Sequence, residues 1–153
     1  QTPIGRLGLV EEENRLTNLY FEHEALPSGL EVRRTALLVE ASQQLTEYFS
    51  GKRRVFSLAL APAGTEFERR VWQVLCRIPY GETASYQALA KAIGNEKAVR
   101  AVGQANHKNP IPIIIPCHRV IGANGALVGY GGGLKIKATL LAMEKEFLKG
   151  KVG

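Results

Sequence analysis

Only two cysteines, Cys76 and Cys117, one methionine and one tryptophan occur in the 153 residues. Two thiols are too few for the disulfide framework of a small secreted scaffold, and a reducing compartment leaves both free. The three histidines, His23, His107 and His118, and the two cysteines lack the spacing of a zinc motif. No apolar run approaches the roughly 20 residues that span a bilayer. No basic-then-apolar leader opens the chain, and Gln1 in place of Met reads as a trimmed or renumbered start. Hydrophobic residues at 45% and charged residues at 22% are ordinary for a globular domain, so a soluble intracellular protein is expected. Cys76 lies in the apolar stretch Val71–Cys76 and reads as a small core residue.

Acidic residues are scarce in one half only. Residues 1–64 hold 7 Lys/Arg against 8 Asp/Glu, whereas residues 65–153 hold 13 against 6, so the first part carries −1 and the second +7 of the net +6. A basic half beside a neutral one implies a polyanionic partner for that half, or a solvated basic surface.

The first 60 residues read as a small α/β unit. Two strand-like runs, one within Thr2–Val10 and one over Leu16–Phe21, flank a turn at Asn14 and suggest a hairpin. From Thr35, residues Leu38, Ala41, Leu45, Tyr48 and Phe49 recur at helical spacing until Gly51. Val55–Leu60 reads as a further strand, and 61–64 as a linker. The second domain, 65–153, opens on the capping-box pair Thr65 and Glu68, followed by Phe67, Val71, Val74, Leu75 and Ile78 on one helical face. Ser85 and Asn95 can each cap a short helix on either side of Gly94, which makes a helix-turn-helix candidate, with a plain helical hairpin as the alternative. The fold class is thus α+β: a small α/β N-terminal domain and a mainly helical C-terminal domain.

The second helix of that pair carries Ala98, Ala101, Gly103 and Ala105, with Arg100 as its one long cation near the middle. Small side chains let a helix approach a phosphate backbone closely but cannot read base edges. Sequence-tolerant binding to nucleic acid follows, with Ser85, Ala98, Arg100, Ala101 and Gly103 as the candidate contact set.

The most informative stretch is Asn109–Val120, where a proline-bounded, strand-like apolar run delivers Cys117 and His118. A neighbouring imidazole can convert a thiol to the nucleophilic thiolate. Adjacent residues of an extended strand face opposite ways, so His118 needs a backbone bend or a bridging water to reach Cys117. A core cysteine beside a loop-capping histidine is the plainer alternative. Gly129, Gly131, Gly132 and Gly133 surround Tyr130 in a loop that lacks the ending of a phosphate-binding loop. It offers bare backbone to a ligand or is simply a flexible turn. The last helix places Ile136, Leu140, Met143 and Phe147 on one face, with Glu144 beside it and partly buried.

Pro116-Cys117-His118-Arg119-Val120 resembles the active-site signature of the O6-alkylguanine-DNA alkyltransferases, and the surroundings agree: Ile78–Thr83, Ser85-Tyr86, Asn95–Gly103, Asn109-Pro110 and Gly129–Leu134. The resemblance is continuous from about Thr65 to Leu148, and Thr2–Gly5 and Tyr48–Gly51 resemble the family's N-terminal domain. It implies single-turnover removal of the alkyl group from O6-alkylguanine in duplex DNA, O4-alkylthymine being a further candidate, by a cytoplasmic protein, nucleoid-associated if prokaryotic. It implies that Cys117 accepts the alkyl group, that His118 deprotonates it through a water, that Glu144 orients the imidazole, and that Tyr86 donates to the leaving guanine. Arg100 replaces the flipped nucleotide in the stack, Asn109 braces the active-site segment, and Val120, Tyr130, Gly131 and Lys137 surround the base. No cofactor, metal or membrane is implied, and the protein works as a monomer, with cooperative binding along DNA left open. Gly131 stands where some relatives have serine, and residues 1–64 lack the cysteines with which some relatives bind structural zinc. A non-catalytic lesion sensor and a helix-turn-helix regulator of the same fold are the alternatives; Cys117 argues against the first and the shortage of base-reading side chains against the second.

Overall fold

The computed structural model describes residues 2–122, 130 and 133–150. It opens on the expected antiparallel hairpin of β1 (Leu7–Glu12) and β2 (Arg15–Phe21), with Leu7 opposite Phe21 and Glu12 opposite Arg15. Glu13 and Asn14 both take positive φ, 50° and 64°, as a two-residue hairpin turn of matching twist requires. Alternate residues of β2, Leu19 and Phe21, are buried.

α1 (Ala36–Phe49) begins where Thr35 Oγ1 accepts from the Leu38 N–H at 3.1 Å, and it buries Ala41, Gln44, Leu45 and Tyr48. Gly51 follows with φ 78°, and a β-carbon there would lie 2.6 Å from the ring of Phe147, so glycine is needed for conformation and for space. The strand expected over Val55–Leu60 does not form. Only one bridge joins it to the hairpin: Leu16 N–H donates to Ala59 O at 2.9 Å and Ala61 N–H to Leu16 O at 2.8 Å. The buried amide of Gln44 meets the Ser57 backbone instead, accepting from its N–H at 2.9 Å and donating to its carbonyl at 3.2 Å. A side chain thus takes the place of a neighbouring strand.

α2 (Glu66–Leu75) carries both halves of the capping box, at 3.1 and 2.9 Å, and buries Val71, Trp72 and Leu75. Trp72 Nε1–H donates to Ala105 O at 2.8 Å, which locks this helix to the second helix of the helix-turn-helix. Cys76 is not a core residue: it caps α2 at its C-terminal end, exposed, and the surrounding wall still raises its thiol pKa. The apolar pattern of the preceding residues misled here because the helix stops at Leu75.

β3 (Ala84–Ser85) leads into α3 (Tyr86–Ala92), capped by Ser85 Oγ at 3.0 Å from the Ala88 N–H. Gly94, at φ 83°, turns the chain into a short 3-10 segment capped by Asn95 and then α4 (Val99–His107). The two helices pack on each other, and the helix-turn-helix forms as expected. β4 (Val120–Ile121) pairs in parallel with β3, Val120 opposite Ala84 and Ile121 opposite Ser85. α5 (Leu134–Leu148) closes the described fold. Its buried stripe is Lys137, Leu140 and Glu144, flanked by the half-buried Ile136, Met143 and Phe147. One apolar cluster runs from Leu16 to Leu140. Among the described residues no helix is long and apolar enough to cross a membrane.

Candidate active site

The segment expected as a strand before Cys117 is instead a turn folded on itself. Ile115 N–H donates to Ile111 O at 2.9 Å, and Ile113 takes φ 75°, a strained conformation for a β-branched residue. Burial of Ile111, Ile113, Ile114 and Ile115 holds it there. Asn109 clamps both ends, its Nδ2 donating to Ile115 O at 2.8 Å and its Oδ1 accepting from Ile111 N–H at 3.0 Å. Beyond Pro116, Cys117–Arg119 form one 3-10 turn. Four consecutive isoleucine-rich positions mimic a strand, but the flanking prolines withhold ladder donors and the asparagine supplies the bonds of a turn.

Cys117 and His118 thus lie on a tight turn and not on an extended strand. Cys117 is buried, and burial pushes its thiol up to about 11, against a hydrogen bond from Asn109 and the charge of Lys137. The thiol therefore needs a base at neutral pH. His118 is wholly buried; burial lowers its pKa below the ordinary 6.5, Glu144 opposes this, and the cations Arg119 and Lys137 reinforce it. The imidazole is thus neutral at neutral pH. Its Nε2 lies 2.6 Å from Glu144 Oε2, and a carboxylate only accepts, so Nε2 carries the hydrogen. Nδ1, buried and without a hydrogen-bond partner among the described residues, keeps a bare lone pair.

Glu144 is the hub. Its Oε2 also accepts from Tyr48 Oη at 2.6 Å and Arg119 Nη2 at 3.0 Å, and its Oε1 from Arg119 Nε at 2.9 Å and Gly81 N–H at 3.1 Å. Burial raises its pKa, but the hydrogen bond and charge of His118, and after them the forked contact of Arg119, more than offset that and hold it at about 2. Lys137, also fully buried, donates to Val120 O and lowers the cost of negative charge on Cys117.

Tyr86, first residue of α3, is half-buried; burial raises its hydroxyl pKa, a hydrogen bond from Asn106 opposes this, and the nearby Cys117 adds to it. Tyr130 packs edge-on against Phe21 at 5.9 Å and closes a cleft of about 100 Å³ that Leu19, Asn109, Pro112 and Cys117 also line. On α4, Arg100 and Ala101 are exposed, while Ala98, Gly103 and the cap Ser85 are half-buried. Gly131 lies outside the described residues, as do Gly125, Gly129 and Gly132.

A buried thiol beside a cleft, a neutral imidazole with one nitrogen held by a carboxylate, and a helix-turn-helix pinned to the same turn form one connected unit. The sequence matches the ribonuclease-like domain of 6-O-methylguanine DNA methyltransferases over residues 1–62 and their DNA-binding domain over residues 66–146. The chain belongs to the 6-O-methylguanine DNA methyltransferase family. Among its relatives, the constitutive methylated-DNA–protein-cysteine methyltransferase of Bacillus subtilis is 51% identical, over 99% of this chain and 96% of its own. The methylated-DNA–protein-cysteine methyltransferase of Methanosarcina mazei is 50% identical, over 97% and 96%. The crystal structure of the Mycobacterium tuberculosis protein in complex with DNA superposes with a TM-score of 0.89 at 46% identity, covering 95% of this chain and 90% of that one.

Within this methyltransferase, sequence reasoning missed Tyr48, 96 positions before Glu144, and the paired Arg119. The sequence alone points to no site residue in the N-terminal unit, yet its helix α1 supplies a donor to the Glu144 carboxylate. The only signal was Tyr48-Phe49-Ser50-Gly51, which carried family resemblance without a role.

Proposed function

We propose that this methyltransferase repairs double-stranded DNA by accepting the alkyl group of O6-alkylguanine on Cys117, once per molecule. The observation that carries the reading is the bare Nδ1 of a neutral His118, beside a thiol that burial has made hard to ionise. His118 takes the thiol proton through a water. The sulfur attacks the alkyl carbon, a carbon–sulfur bond forms, and the carbon–O6 bond breaks with its electron pair left on guanine. Tyr86 hands that anion a proton and is reprotonated through solvent from the imidazolium. Glu144 fixes the imidazole, and Lys137 stabilises the thiolate. The product is a thioether that no described neighbour is placed to hydrolyse, so no second turnover follows.

The target carbon lies inside the duplex, and everting the nucleotide costs about a few kcal/mol. Arg100, exposed on α4, enters the gap while Ala98, Ala101, Gly103 and Ser85 let the helix approach the backbone. Asn109, Val120, Tyr130 and Gly131 surround the base. The protein acts as a monomer in the cytoplasm, and the basic second half makes its affinity steeply salt-dependent.

A duplex with one O6-methylguanine is expected to transfer its methyl to the peptide containing Cys117, seen by mass spectrometry; a label on Cys76, or none, overturns the reading. Arg100→Ala is expected to slow repair of duplex DNA by about 100-fold or more, since the everted state is a few kcal/mol uphill. Reaction with free O6-benzylguanine should change little. Equal losses in both assays would remove Arg100 from the flipping step.

A further inference from the structure

Two donors crowd one oxygen of Glu144. His118 Nε2–H and the Tyr48 hydroxyl both reach Oε2 at 2.6 Å, and Arg119 Nη2 adds a third contact at 3.0 Å. The other oxygen, Oε1, accepts only from Arg119 Nε at 2.9 Å and the Gly81 N–H at 3.1 Å among the described residues. A carboxylate oxygen has two lone pairs, so on Oε2 the tyrosine and the imidazole draw on the same electron density. Tyr48 comes from α1 and is fully buried. Its ring packs against Phe49, Phe56 and Tyr80, with centroids 5.2, 5.4 and 6.2 Å away, which fixes where the hydroxyl points.

We infer that Tyr48 is a positioning residue for the base: by donating to the oxygen that holds His118 Nε2–H, it weakens the pull of Glu144 on an imidazolium and keeps the ring free to take the thiol proton at neutral pH. The inference rests on the proposed role of His118 in activating Cys117. Removing the tyrosine donor raises the apparent pKa of the buried His118–Glu144 pair, whichever member takes the proton. Tyr48 stays a donor throughout, because burial and the charge of Glu144 keep its hydroxyl pKa well above the ordinary tyrosine value. The other charged and titratable groups facing the pair are Cys117 and Arg119 on the turn, Lys137 on α5, and Tyr80 and Tyr130. Burial raises the pKa of Cys117, Tyr80 and Tyr130, so none of these titrates on the acid side of neutrality.

Two readouts on the full chain test this. One is the rate of methyl transfer from a saturating O6-methylguanine duplex, followed from about pH 5 to pH 8, the range in which histidine titrates. The other is the titration of the His118 ring itself, followed by NMR with nitrogen-labelled histidine. Tyr48→Phe keeps the ring packing and leaves Glu144 the donors His118, Arg119 and Gly81. It is expected to raise both the ring midpoint and the acid limb of the rate profile by about one pH unit, the order of a hydrogen bond to a charged group. Transfer should then slow about tenfold on the acid limb and far less above it, with DNA affinity unchanged. A merely structural hydroxyl would lower the melting temperature or the whole profile with both midpoints in place, and that result overturns the inference. Should Tyr48→Phe not fold, 3-fluorotyrosine at position 48 carries the test. It keeps the shape, and its more acidic hydroxyl is a stronger donor, so both midpoints should move down; unmoved midpoints again overturn the inference. A raised ring midpoint with an unmoved rate limb overturns it too, by removing His118 from the base role. Absence of methyl transfer in the unaltered protein defeats the proposed function, whereas a raised ring midpoint in Tyr48→Phe would still support the coupling of Tyr48 to His118.

Discussion

Cys117→Ala is expected to abolish alkyl transfer completely while leaving binding to duplex DNA intact. The loss should be total because Leu19, Phe21, Asn109 and Pro112 around the cleft offer no substitute nucleophile, and Glu24 and His107, which also line it, are solvent-exposed. Tyr130 does not serve, since burial holds its hydroxyl well above the ordinary tyrosine pKa. Binding should survive because Arg100 and Ala101 are exposed while Cys117 is buried, and because exchanging a small buried thiol for a methyl group removes little volume. Single-turnover methyl transfer, read beside a binding titration and a thermal melt, checks this. Loss of both binding and transfer with a lowered melting temperature would mean that the sulfur is structural. Residual transfer would mean that another residue accepts the alkyl group.

Glu144→Ala is expected to destabilise the protein by about 3–5 kcal/mol, the cost of leaving a buried charge without its partner. The Arg119 guanidinium would remain buried against the Ile78 carbonyl at 2.8 Å with no carboxylate, and Tyr48 and Gly81 would each lose an acceptor. For a chain of this length the melting temperature should fall by roughly 6–20 °C. Transfer should also be impaired, because the His118 tautomer with a bare Nδ1 is fixed by that carboxylate. The same group sets an acid limit. Its pKa falls from 4.5 to about 2 on folding, so the unfolded chain binds the proton more readily. The stabilisation is fully present above pH 4.5 and is lost as the pH falls towards 2. The pKa of His118, depressed below 6.5, acts in the same sense at higher pH, since the buried neutral ring resists the proton that the unfolded ring accepts. Melting temperatures taken from pH 7 to pH 2 should show a loss between 4.5 and about 2 that is smaller in Glu144→Gln. Parallel curves would show that the network does not hold the carboxylate ionised.

How much of this could be read in the chain varies by element. Local signals were legible wherever one side chain meets the backbone a few residues away. Thr35, Thr65 and Ser85 cap the helices they announced. Asn14 marked the hairpin and Gly94 the turn between α3 and α4. Patterns that depend on a distant partner were misread. Val55–Leu60 looks like a strand, yet the Gln44 amide occupies its hydrogen bonds. Ile111–Ile115 looks like one too, and there a local signal was overlooked, since nearby Asn109 closes it into a turn. The apolar face of α5 pointed at Ile136, Leu140, Met143 and Phe147, but two of its three buried residues, Lys137 and Glu144, are charged. Hydrophobic periodicity cannot locate a buried lysine or glutamate, because their burial depends on partners from elsewhere.

The order of residues alone determined the family and singled out Cys117 as the candidate acceptor, since Pro116-Cys117-His118-Arg119-Val120 and its flanking motifs are contiguous chemistry that needs no folding to be recognised. It also determined the helix-turn-helix and the placement of positive charge in the second half. Tertiary structure alone decided the electrostatic state of the site. Which imidazole nitrogen is bare and why the thiol resists ionisation depend on Tyr48, Arg119, Lys137 and Glu144 being desolvated together. Desolvation is a property of the assembled core, where removing water makes each buried charge and hydrogen bond count several times more than it would along an open chain.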